Sequence, residues 1–147
     1  MTITKKSIYS LLAILMLGLS GCSTMQDVVK AKESGAEGTT KTYSVPESQA
    51  WDIAKAVFRW EGADAIEEHR DQHYMLTSSG MNLITMGTVM GAWTKPLNTE
   101  NTEVTVVTKR RVTTNLATTL TEGTFHKRFA QGVNIVKSGK PLPETSP

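Results

Sequence analysis

The chain has one cysteine in 147 residues, so an intramolecular disulfide framework and a multi-thiolate metal site are both excluded. Histidine is scarce, with His69, His73 and His126 only, and aromatic residues make up 6% of the chain. Five prolines are present, and three of them crowd the last residues as Pro141, Pro143 and Pro147. No apolar run reaches the roughly 20 residues that a comfortable membrane-spanning helix needs. A hydrophobic fraction of 39% excludes a polytopic membrane protein, and a charged fraction of 20% with three tryptophans argues against wholesale disorder. The length suits one domain.

What is present is concentrated at the N-terminus. Lys5 and Lys6 form a charged start, Ile8 to Leu19 is an apolar run of 12 residues, and small residues follow. This is the pattern of a secretory signal. The run ends Leu19-Ser20-Gly21-Cys22, with the chain's one cysteine directly after it. On those four residues and their placement, the sequence resembles the bacterial lipoprotein family. The resemblance covers about the first 25 residues. It implies a thioether-linked lipid on Cys22, removal of residues 1–21 and acylation of the new amino terminus. Serine at position 23, where aspartate favours inner-membrane retention in enterobacterial members, implies the periplasmic face of the outer membrane.

Removing residues 1–21 takes away Lys5 and Lys6, and the 16 Lys plus Arg of the precursor then fall level with the 14 Asp plus Glu. A neutral mature chain gives no support for nucleic-acid binding. The charges are unevenly placed, with acids prevailing from Glu61 to Glu103 and bases from Val104 to Lys140. Acidic and basic elements lying side by side are the plain expectation.

Residues 22–40 hold few large apolar side chains and read as a lipidated N-terminus and flexible tether. Residues 41–140 read as the globular domain, and 141–147 as a disordered tail. Within the domain, Lys41 to Val45 predicts a short strand. Ala50, Ile53, Ala54, Val57 and Trp60 recur at helical spacing, and Gly62 closes that helix. Ala63–His69 and Gln72–Ser79 predict two strands around a turn at Arg70-Asp71. A loop from Gly80 leads into a strand over Gly87–Pro96. Asn98-Thr99-Glu100-Asn101 is a hairpin loop before a strand over Thr102–Val112. Asn115–Leu120 is a further strand candidate. Thr121 caps a last helix with the face Phe125, Phe129, Val133 and Val136, stopped by Gly139 and Pro141. The expected fold is α+β, an antiparallel sheet with two helices packed on one face, in the order β-α-β-β-β-β-β-α.

The order strand, Val45-Pro46-Glu47, tryptophan-containing helix and meander, behind a lipobox, resembles small envelope lipoproteins with a helix-grip-like domain. These include the C-subunit lipoprotein of the outer-membrane β-barrel assembly machine. The resemblance implies a binding or accessory role.

Residues able to carry catalysis are few. His69 and His73 flank Asp71, but their spacing across a turn fits a solvated hairpin end better than a metal site. Glu67 and Glu68 are adjacent, so on a strand they point to opposite faces and cannot act as a pair. Ser78 and Ser79 lack a nucleophile elbow, and Gly87 and Gly91 lack the Lys-Ser/Thr of a phosphate loop. No catalytic residue, metal site or cofactor is expected, and the chain is read as non-enzymatic. Met75, Met81, Met86 and Met90 cluster beside Trp93. Two uses stand: core filler, or an adaptable binding surface for which Met86, Met90 and Trp93 are the candidates. The expected function is a non-catalytic envelope lipoprotein, anchored to the membrane through Cys22 and binding a protein partner. A lipid-binding or lipid-transfer accessory is the alternative, and a periplasmic hydrolase ranks behind both.

Overall fold

The computed structural model describes residues 24–35, 37–79, 87–110 and 121–147. Its elements run α1 (Met25–Glu33), β1 (Thr39–Tyr43), α2 (Glu47–Trp60), β2 (Ala63–His69), a 3-10 turn (Arg70–Gln72), β3 (Tyr74–Ser79), β4 (Thr88–Pro96), β5 (Thr102–Arg110) and α3 (Glu122–Lys137). The fold is α+β, as the patterning implies. The strand expected at Asn115–Leu120 lies outside the described residues.

All strand pairs are antiparallel, in the order β1-β5-β4-β3-β2. Helix α2 carries the chain from one edge strand to the other. Strands β2 to β5 then meander back until β5 lies beside β1. The hairpin between β4 and β5 is held by Asn98, whose Oδ1 accepts from the backbone N–H of Glu100 at 2.9 Å and of Asn101 at 2.8 Å. Gly62 ends α2 at φ +79, a left-handed conformation that costs glycine little.

The main core lies between one sheet face and helices α2 and α3. Trp51, Ile53, Val57 and Phe58 of α2 meet Phe125, Phe129 and Val133 of α3 over Met75, Met90, Ala92, Val104 and Val106 of the sheet. The two helices approach closely at Gly132, where a Cβ would stand 2.6 Å from Ile53 Cγ2. Acidic and basic segments do meet. Arg128 of α3 bonds Glu61 at 3.1 Å, and Lys95 of β4 stands in register with Glu103 of β5.

Two expectations are corrected at the ends of the domain. The segment read as a flexible tether contains α1, whose Val28 and Ala31 are buried against Leu76, Val89 and Val107 on the opposite sheet face. Two small apolar residues one turn apart suffice for a narrow stripe. The helix starts at a polar lock, in which the Thr24 N–H and hydroxyl both donate to Asp27 Oδ2, at 2.7 and 3.0 Å. Those bonds hold the Asp27 carboxyl below its ordinary pKa.

The tail read as disordered is held against the domain. The Trp60 indole N–H donates to the Pro143 carbonyl at 2.9 Å, and Leu142 packs on the core. A proline-rich segment has little chain entropy to lose, so one apolar contact and one hydrogen bond go far toward fixing it.

Candidate functional site

Among the described residues, helix α1 covers the second sheet face only in part. Between it and the outer strands lies a cleft of about 550 Å³, lined by Met25, Gln26, Val29, Lys30 and Glu33 of α1 with Glu67, His69, Tyr74 and Leu76 of β2 and β3. Beside the cleft the register sets His69 opposite Tyr74 and Tyr74 opposite Trp93. The three rings form a row across β2, β3 and β4. Their centroids are 4.4 Å apart for His69 and Tyr74 and 5.7 Å apart for Tyr74 and Trp93, both pairs stacked. His69 Nε2 also meets Glu67 Oε1 at 2.7 Å, so the rim pairs its own polar groups. Gly91 makes this packing possible: a Cβ there would lie 2.5 Å from the Trp93 ring and 2.9 Å from Val28.

Of the residues singled out from sequence as partner-binding, the two that are described, Met90 and Trp93, lie on opposite faces of the sheet. Met90 is fully buried in the main core, where it acts as filler beside Met75. Trp93 is three residues on, so strand alternation sends it to the α1 face. Met86 and Met81 lie outside the described residues, as does Cys22. A strand therefore splits what a helix would have aligned.

His69 and His73 also part company. His73 ends the 3-10 turn in the left-handed region at φ 58, and its Nδ1 meets Glu47 Oε1 at 2.8 Å at the start of α2. The Thr94 hydroxyl donates to the same Glu47 oxygen at 2.9 Å. Burial opposes the charge on Glu47, but these partners hold its carboxyl below the ordinary value. Glu67 and Glu68 face opposite ways as expected. Glu68 lies on the α2 side, bonded to Lys55 at 2.5 Å and to the Trp51 indole at 2.9 Å, and Lys55 foremost lowers its pKa. Arg70 stacks over Trp51 at 4.7 Å. This cluster ties α2 to β2. Among the described residues, no group of three or more His, Cys, Asp or Glu could hold a metal ion.

Sequence reasoning missed a buried polar knot beside β1. His126 is 1% exposed. Its Nε2 lies 2.9 Å from the Thr39 carbonyl and therefore donates, which leaves Nδ1 to accept from the Tyr43 hydroxyl at 2.9 Å. Glu122, one turn earlier on α3, accepts from the Thr108 N–H at 3.0 Å and from the Thr39 hydroxyl at 2.7 Å. Burial pushes the Tyr43 hydroxyl up to about 12. Burial also lowers the His126 pKa; the Lys41 charge adds to this, and the Thr39 bond and Glu122 oppose it.

A lowered folded-state value means that only the unfolded chain takes up this proton just below about pH 6.5. Stability contributed by neutral His126 is therefore intact above that pH and declines as pH falls through the histidine range. Glu47 and Glu68 add losses only at lower pH, where carboxylates protonate. Urea midpoints at pH 7.5 and 5.5 should differ in the wild type and differ less in His126→Gln. Equal pH shifts in the two proteins would refute the assignment.

No protein-family model and no curated protein matches the chain. Among solved structures it is similar to the Zhui aromatase/cyclase from Streptomyces sp. R1128. The two are 13% identical with a TM-score of 0.29, over 69% of this chain and 85% of that one. A likeness of that size carries no functional argument. No described helix is long and apolar enough to cross a membrane.

Proposed function

We propose that the protein is a non-catalytic envelope lipoprotein, anchored through a lipid on Cys22 at the periplasmic face of the outer membrane. It acts as a binding or accessory module for a protein partner there. The observation that carries this reading is the shortness of the link. Only Ser23 and Thr24 separate Cys22 from α1, and α1 is packed on the sheet. A domain held that close to its anchor is confined to the membrane plane, where its effective concentration toward membrane partners is high.

The partner contact is assigned to the edge of β1. Among the described residues this strand pairs only with β5, and Thr40, Lys41 and Thr42 are exposed. It carries a single charge. The other edge, β2, is guarded by an irregularity between Ala63 and Ala65 and by Glu67 and Glu68. An added strand therefore finds its template at β1.

The apolar part of the α1 cleft supports a second reading, a lipid-binding or lipid-transfer accessory. Cys22→Ala should move the full chain from the membrane pellet to the soluble fraction or leave it as uncleaved precursor. A variant that stayed wholly with membranes in processed form would sink the anchor. A photoreactive residue at Thr42 should give a discrete protein adduct in intact cells, and one at Glu144 should not. Co-purified lipid with no protein adduct would favour the second reading.

A further inference from the structure

The α1 cleft lies where the described chain begins. Met25 and Gln26, the first two residues of α1, form part of its wall, and Thr24 directly precedes them. Its other apolar lining is Val29, Tyr74 and Leu76. Cys22 lies two residues before Thr24. Two residues of fully extended chain span at most about 7 Å. We propose that the cleft seats one acyl chain of the lipid carried by Cys22 of the same molecule. The proposal rests on the lipidation proposed above.

Reach, chemistry and size all point to that occupant. An acyl chain attached at Cys22 is within reach of the cleft mouth, because only Ser23 lies between Cys22 and Thr24. Such tethering gives an effective concentration in the millimolar range or above, enough to fill a seat too weak to draw free lipid from water. The floor is apolar, with Leu76 only 4% exposed, while the charged side chains of Lys30, Glu33 and Glu67 are exposed at the rim. Glu67 and His69 already bond each other, so the rim does not require a charged ligand. An acyl chain has no hydrogen-bonding groups to satisfy. A peptide laid on the same floor would leave backbone N–H and C=O groups unpaired. The volume of about 550 Å³ lies within the range of sites that take small ligands.

The test uses the full chain, made in bacteria fed a fatty acid with a terminal diazirine. The mass of the N-terminal peptide first reports whether Cys22 carries lipid. An unmodified Cys22 would overturn the lipidation reading and this proposal with it. With lipid present, irradiation should give crosslinks within one molecule to the peptides holding Met25–Glu33 or Glu67–Leu76. Val29→Glu places a charge in the seat at a half-buried position, and should cut those crosslinks by about tenfold or more with an unchanged melting curve. Crosslinks on lipidated protein confined to phospholipid, to a second copy or to other proteins would overturn the proposal. Equal crosslinking in wild type and Val29→Glu would do the same. If Val29→Glu melts early, the wild-type crosslink map decides alone.

Discussion

Phe129→Ala should lower the unfolding free energy by about 3–5 kcal/mol. Phe129 has no solvent exposure, and its ring centroid lies 4.4 Å from Tyr43 and 5.9 Å from Phe125. It joins α3 to β1 and to the aromatic part of the α2 interface. Removing the ring forfeits its transfer energy and leaves a cavity that two helices, pinned by Gly132 against Ile53, cannot close. A domain of this size has only about 5–15 kcal/mol in hand, so the variant sits near the edge of folding at 37 °C. Urea unfolding should show a much lower midpoint with an unchanged slope. Ala130→Ser, on the exposed side of the same helix, should change little. A loss below about 1 kcal/mol in Phe129→Ala would mean that α3 does not dock as described.

Gly91→Val should act on the other face. Its Cβ would stand 2.5 and 2.6 Å from two carbons of the Trp93 ring and 2.9 Å from Val28 Cγ1. Real Cβ atoms do not tolerate such contacts, so either the indole leaves its place or α1 lifts. Overpacking of this kind costs about 1–3 kcal/mol. The damage should be local, because Met90 and Ala92 on the same strand face the other core. Trypsin should cut after Lys30 and Lys32 several-fold faster, while the α2–α3 core stays protected. Unchanged cleavage and stability would show that α1 is not held through Trp93.

Much of the domain was legible because its signals are local. The α3 stripe Phe125, Phe129, Val133 and the Thr121 cap appear as expected, with Thr121 Oγ1 accepting from the Thr124 N–H at 3.2 Å. The preference for strand over helix around Gly87 and Gly91 also matches β4. What escaped depends on contacts between distant residues. Val28 and Ala31 make too faint a stripe to announce a helix without the sheet they cover. Nothing near His126 in sequence foretells Tyr43, 83 positions away. The cleft escaped for the same reason. Its two walls, α1 and the β2–β3 pair, are separated by a strand and a helix in the chain. Of the two uses open to the methionines, core filler holds for Met75 and Met90, which share the main core, while Trp93 on the same strand as Met90 turns to the α1 face.

The two unequal cores have a mechanical consequence. Force applied at Thr24, where a membrane anchor would pull, enters through α1, which is held by the small core of Val28, Ala31, Leu76, Val89 and Val107. The main core, which holds the three phenylalanines together with Trp51 and Ile53, lies beyond it. A helix attached along one narrow stripe peels one contact at a time, whereas the sheet beneath must break many bonds together. Under load at Thr24 the first helix is thus expected to yield first, lengthening the N-terminal segment before the main core is strained.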